Sequence, residues 1–193
     1  METDRRVLRI ALALNAMMFV IGILAGTLAQ STGLIADALD MLADASAYGI
    51  ALVAVGRTDR FKSGAAAVSG TVLLLLGLGV LLDVARRAFL GSAPEGLAMI
   101  GIAAISLAVN ASVLGMLGRF RSGEVHLRAT WIFTRADVVA NLGVIASGAL
   151  VLLTGSRYPD LVAGAAIGIY VVLEAREILE EARTAIRGKD RNV

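Results

Sequence analysis

The 193-residue sequence has no cysteine, one histidine (His126), two prolines and only 5% aromatic residues. Without cysteine it can hold no disulfide, no thiolate metal site and no cysteine nucleophile. A single histidine excludes a histidine-rich metal cage. Charge is scarce too, at 18% Asp, Glu, Lys and Arg, where soluble domains carry about 25%. A chain this poor in polar residues cannot cover a soluble surface, and it is too apolar for intrinsic disorder. The isoelectric point near 9.4 accompanies a net charge of only +2, and the basic residues sit at the ends of apolar segments. That pattern reports membrane topology rather than a phosphate-binding face, so nucleic acid is not an expected partner.

What remains is apolar: 58% hydrophobic residues, 21 glycines and a mean hydropathy of +0.79. Six membrane helices of about 20–24 residues consume roughly 120–145 residues, leaving room only for loops and tails. The expected fold is therefore all-α, a polytopic bundle of six transmembrane helices in the lipid bilayer. The spans run over residues 7–29, 34–55, 65–90, 97–117, 127–153 and 161–179. Arg5, Arg6 and Arg9 before the first run resemble the start of a signal peptide, but no cleavage site interrupts it, and it reads as a retained span. Pro94 and Pro159 are expected in loops. Residues 1–185 form the expected transport-type domain and 186–193 a short cytoplasmic tail, frayed beyond Arg183.

Lys and Arg set the orientation. Arg5, Arg6, Arg9, Arg57, Arg60, Lys62, Arg119, Arg121 and Arg128 fall on one side, joined by Arg183, Arg187, Lys189 and Arg191 of the C-terminus. Only Arg86, Arg87 and Arg157 fall on the other. Both termini are thus expected in the cytoplasm, with the protein in the inner (plasma) membrane.

Acids inside spans carry the functional information, because an unpaired intramembrane carboxylate costs several kcal/mol. Asp37, Asp40 and Asp44 share one face of span two. Asp40 lies roughly 12 Å and Asp44 roughly 18 Å from the start of that helix, and Asp137 lies roughly 15 Å into span five from the opposite side. Asp44 and Asp137 therefore reach the midplane together. Protonated acids hydrogen-bonded between helices would account for one such residue. Two acids one turn apart facing a third fit a divalent-cation site better, since hard oxygen ligands suit Mn, Fe(II), Mg or Zn. Thr134 and Asn141, at −3 and +4 from Asp137, could complete the coordination or simply hydrogen-bond, with Asn141 ranked first.

Other polar residues have two readings each. Asn15 and Asn110 either line the same cavity or bond across helices. Asp83, Arg86 and Arg87 form an i, i+3, i+4 set that reads as a local salt bridge. Glu174 and Arg135 could pair as an inner gate, or Arg135 could snorkel to the cytoplasm. His126 is either a loop histidine or a proton or metal relay at the inner mouth of span five. The pairs Gly22/Gly26 and Gly164/Gly168 allow close helix approach without naming a partner.

The run from Ser31 through Gly33-Leu34-Ile35-Ala36-Asp37-Ala38-Leu39-Asp40 to Asp44 resembles span two of the cation diffusion facilitator family. The runs Val125-His126-Leu127-Arg128-Ala129 to Asp137 and Asn141-Leu142-Gly143-Val144-Ile145 resemble its span five. Asn15, Asn110 and Tyr158-Pro159-Asp160 at the head of span six also fit, so the resemblance covers residues 7–183. It implies efflux of a divalent metal, usually zinc, in exchange for protons, by a homodimer that alternates access around four ligands. Asp40, Asp44 and Asp137 match three ligand positions; the fourth, four residues before Asp137, is Phe133, which has no donor. Water, Asn141, Thr134 or Asp37 is then the expected substitute, or selectivity has moved toward Mn, Fe or Co. No tightly bound cofactor is expected; metal ion and protons are the expected substrates. The family's cytoplasmic C-terminal domain is not expected in a sequence of this length, so a dimer is expected to rest on the spans themselves. Two competing classes are a transport-inactive membrane subunit with a decayed site and an intramembrane aspartyl protease. The protease needs Gly-x-Gly-Asp, whereas Ala36 and Ala136 precede Asp37 and Asp137.

Overall fold

The computed structural model describes the backbone of residues 2–54, 58–117 and 125–190, and side chains within 5–53, 58, 61–116 and 136–184. All the regular structure among these residues is helical: α1 (Glu2–Leu28), α2 (Thr32–Ala54), α3 (Asp59–Leu90), α4 (Gly96–Leu117), α5 (Val125–Thr154) and α6 (Tyr158–Asp190). Several helices extend past the apolar spans. The α3 helix starts at Asp59 because Thr58, in extended conformation, caps it by accepting the Phe61 N–H at 3.4 Å. The tail expected to fray beyond Arg183 continues α6 to Asp190. Pro159 is not in a loop but in the first turn of α6, where its missing N–H would have no intrahelical partner anyway.

Three turns meet at one end of the bundle. Glu95 N–H, after α3, donates to Ala29 O, after α1, at 3.0 Å. Arg87, near the end of α3, donates to Gln30 O, and Arg157, before α6, donates to Ala88 O at 3.1 Å. The α1–α2, α3–α4 and α5–α6 connections therefore lie together, and the helices alternate in direction. The α1–α2 turn is tight: Ser31 N–H bonds to Gly26 O at 2.9 Å and Gln30 N–H to Thr27 O at 3.3 Å, with Gln30 at φ 51°. That is the left-handed closure usually given to glycine.

The central element is α2, which touches each of the other five helices. From Ser31 to Ala45 every residue is buried except Ile35 and Leu42, which are half-buried. Close approach is bought with glycine. A Cβ at Gly22 would sit 2.8 Å from Ala38 Cβ, and one at Gly164 would sit 2.7 Å from Thr32 Cβ. The two small-residue pairs thus acquire partners: Gly22 and Gly26 admit α2 to α1, Gly164 admits it to α6, and Gly168 faces Leu81 of α3. The broadest contacts join α3 to α6, α4 to α5 and α1 to α2; along thinner contacts α5 meets α6 and α2, and α4 meets α1 and α2.

Four described segments are long and apolar enough to cross a membrane on their own, in α1, α3, α4 and α5. They present Leu24, Leu75, Leu82 and Leu153 on the outside, as a lipid-facing surface requires. The other two, α2 and α6, carry acids well inside the helix. Asp37, Asp40 and Asp44 lower the hydropathy of α2, whose protein neighbours shield it, and Glu174, Arg176 and Glu177 lower that of α6. The protein is an all-α, multi-pass membrane protein.

Candidate metal centre

The i, i+4 spacing places Asp40 and Asp44 on successive turns of α2, facing α5 and α6. Asp137 projects from α5 into hydrogen-bonding range of both. The three are 5%, 9% and 4% exposed, well below any surface carboxylate. Two ionised carboxylates about 4 Å apart repel by about 4 kcal/mol at an effective dielectric near 20. Three in contact therefore need a cation or protons among them. Asp137 Oδ2 is buried and accepts no hydrogen bond, so one acceptor of this group is unused. Tyr48, one turn beyond Asp44, donates its hydroxyl to Asp44 Oδ2 at 3.4 Å. Among the described residues, no three His, Cys, Asp or Glu side chains close to the spacing of a preformed metal cage.

Asp37 belongs to a different cluster. It accepts from Asn141 Nδ2 and bonds to Ser106, while Asn141 Oδ1 accepts from Asn110 Nδ2 at 3.0 Å. All four side chains are buried. Asp37, Asn141 and Asn110 thus form a polar chain across α2, α5 and α4. Asn141, ranked first as an extra ligand, uses both ends of its amide in that chain. Asn110 bonds across helices through its Nδ2, and its Oδ1 is buried without a partner. Asn15 donates to Ala11 O of its own helix at 3.0 Å and leaves a buried, unpartnered Oδ1.

Glu174 of α6 stands beside the three aspartates, interacting electrostatically with Asp40, Asp44 and Asp137. Its Oε2 is buried without a hydrogen-bond partner. Arg135, Thr134 and His126, together with Phe133, have side chains outside the described residues. The expected salt bridge is present: Asp83 binds Arg86 at 2.6 Å and Arg87 at 2.5 Å.

One buried acid has no counterpart among the expected site residues. Asp160 is fully buried and accepts from Ser31 Oγ at 2.6 Å, Thr32 N at 2.8 Å, Thr32 Oγ1 at 3.0 Å and Gly33 N at 3.0 Å. It caps α2 from the first turn of α6. Ser31-Thr32-Gly33 at the head of an acidic helix is the sequence sign of a cap, but a cap supplied in trans leaves no local mark. A cavity of about 700 Å³ lies between α5 and α6 and is lined by small and apolar residues such as Gly143, Ala146 and Val162, with no carboxylate. It is separate from the acidic cluster.

Comparison with known proteins adds to this geometry. The metal cation efflux system protein CzcD of Cupriavidus metallidurans is 27% identical over 181 residues, covering 88% of this chain and 57% of CzcD. The cadmium, cobalt and zinc/H(+)-K(+) antiporter of Bacillus velezensis is 23% identical over 194 residues, covering 93% of this chain and 62% of that protein. The zinc transporter ZitB of Yersinia pestis is 25% identical over 194 residues, covering 94% and 62%. The chain thus spans 57–62% of the length of these three relatives. The family profile of the cation efflux transmembrane domain matches residues 8–186, a stretch that takes in all six helices and every acid described above. This chain belongs to the cation efflux family, that of the cation diffusion facilitators.

Proposed function

We propose that this protein exports a divalent metal cation from the cytoplasm in exchange for protons, holding the ion between Asp40, Asp44 and Asp137. The observation that carries this reading is the meeting of Asp137 with both α2 aspartates, buried, with one oxygen left unpartnered. The names of the relatives support a zinc-like cargo, with cadmium and cobalt also represented; manganese and iron(II) fit the oxygen donors. The distribution of Lys and Arg supports cytoplasmic termini in the inner membrane. A homodimer assembled through the membrane helices is part of this reading. Family membership sets aside the protease alternative.

Charge explains why exchange suits such a site. Three carboxylates with one divalent cation carry a net charge of −1, and the same three with two protons also carry −1. Swapping two protons for one ion leaves the buried charge constant, so neither loaded form bears an extra desolvation cost in crossing. A helix bundle that exposes this group alternately to each side then couples proton entry to metal exit.

Asp44→Ala reconstituted in proteoliposomes tests the assignment. It is expected to lose metal-dependent proton flux while inserting and eluting like the parent. Full flux in that variant would remove Asp44 from the site. Phe133, without a donor at a family ligand position, favours a second reading, a membrane subunit with a decayed site. Absence of metal binding by the parent protein would support that reading instead.

A further inference from the structure

We propose that Glu174 of α6 is a fourth ligand of the cation, supplying the donor that Phe133 cannot. The inference rests on the reading of Asp40, Asp44 and Asp137 as the other three. Packing fixes the level of Glu174. Ala175 is fully buried against Ala43 and Leu73, so the residue before it in α6 lies beside Asp44, the residue after Ala43 in α2. One turn earlier, Val171 joins Leu39 and Val80 in the main core, which holds this face of α6 against α2 beside Asp40. Glu174 accordingly interacts with all three aspartates.

Two buried oxygens in this group lack any hydrogen bond, Asp137 Oδ2 of α5 and Glu174 Oε2 of α6. Asp137 is itself 4% exposed, and a buried carboxylate oxygen with no donor is costly unless an ion or proton meets it. A carboxylate stranded by chance has no reason to find its orphan counterpart on a neighbouring helix. The four acids do not close on one point in this conformation. Glu174 carries one methylene more than aspartate, and rotation about its side-chain torsions supplies the remaining reach.

The donor set that results is all carboxylate, from α2, α5 and α6, with no imidazole. Such a set narrows the advantage of zinc, which favours nitrogen and sulfur ligands, over oxygen-preferring ions such as Mn²⁺. The substrate class assigned here is therefore a divalent cation accepted by oxygen ligands alone, with Mn²⁺ bound appreciably.

The test is metal titration of the full chain in detergent with Mn²⁺, Zn²⁺ and Co²⁺, following heat and the visible band of bound Co²⁺. Glu174→Gln, nearly isosteric, is expected to weaken Mn²⁺ binding by at least about tenfold, the scale even of an outer-shell loss, and to change the Co²⁺ band. Adding Phe133→Asp to Glu174→Gln is expected to restore binding, because it returns a carboxylate to the family's fourth position. Phe133→His in the same background is expected to raise the Zn²⁺ to Mn²⁺ preference. Should Glu174→Gln not fold, Glu174→Asp serves, and an unaltered Co²⁺ band in it counts against ligation. Affinities and band unchanged in Glu174→Gln, alongside loss in Asp44→Ala, would overturn Glu174 as a ligand and leave the three-aspartate site standing. Unchanged binding in both would remove the site itself.

Discussion

The Asp160 carboxylate accepts the Thr32 N–H at 2.8 Å and the Gly33 N–H at 3.0 Å, so the first turn of α6 caps the N-terminus of α2. A helix buried on all sides cannot leave its first N–H groups to water. Ser31 and Thr32 hydroxyls bind the same carboxylate. Asp160→Ala would leave several buried donors unpaired, each costing about 1–3 kcal/mol. A loss of about 3 kcal/mol or more is expected, with Asp160→Asn losing roughly half of that because one acceptor oxygen remains. Thermal unfolding in detergent reads the order; equal melting of both variants and the parent would contradict it.

Glycine spacing makes a paired prediction. A Cβ at Gly164 would lie 2.7 Å from Thr32 Cβ and 2.8 Å from its carbonyl carbon, whereas a Cβ at Gly79 meets nothing within 4 Å. Gly164→Ala must move α6 from α2 and is expected to cost about 1–3 kcal/mol. Gly79→Ala is expected to be neutral or to stabilise by up to about 1 kcal/mol through helix propensity. The same melting assay separates them, and a Gly164→Ala variant as stable as the parent would show that the helices are not locked at this contact.

The Asn110–Asn141 bond is 3.0 Å long and buried. A double-mutant cycle on Asn110→Ala and Asn141→Ala should give a coupling energy of about 1 kcal/mol. Asn141→Ala is expected to be the more damaging single change, since it also strips a donor from Asp37. Additive losses in the cycle would mean the two amides act independently.

In the proposed exchange, protons and metal compete for the same oxygens at Asp40, Asp44 and Asp137. Acidification fills those oxygens with protons, so apparent metal affinity should fall as pH falls. The slope is about tenfold per pH unit for each proton released on binding. Titration in two buffers of different ionisation heat counts the protons directly. An affinity independent of pH, with no buffer dependence of the heat, would argue against proton exchange at this site.

The apolar architecture was legible in the sequence because long hydrophobic runs and flanking Arg residues act locally. The pairing of Asp83 with Arg86 and Arg87 was legible for the same reason, as an i, i+3, i+4 pattern within one helix. Partners that lie far apart in the chain were not. Asp160 bonds residues 31–33, separated from it by more than a hundred positions, and nothing near Asp160 announces that. The nearness of Glu174 to the aspartates depends on the rotation of α6 about its axis, set by Val171 and Ala175 in two core clusters, which spacing along one helix does not reveal. The bonds of the Asn141 amide to Asn110 and Asp37 depend on partners in α4 and α2 that its spacing from Asp137 does not reveal.

The thin contact between the α4–α5 pair and the rest of the bundle has a mechanical consequence. Asp40, Asp44 and Glu174 ride on one side of that boundary and Asp137 on the other. Sliding or tilting of α4–α5 as a unit changes the gap across the acidic cluster without unwinding a single helical turn. An ion held there would act as a rivet through a seam: while bound it clamps the two parts together, and once protons replace it the clamp is released. Cargo and fastener would then be the same particle.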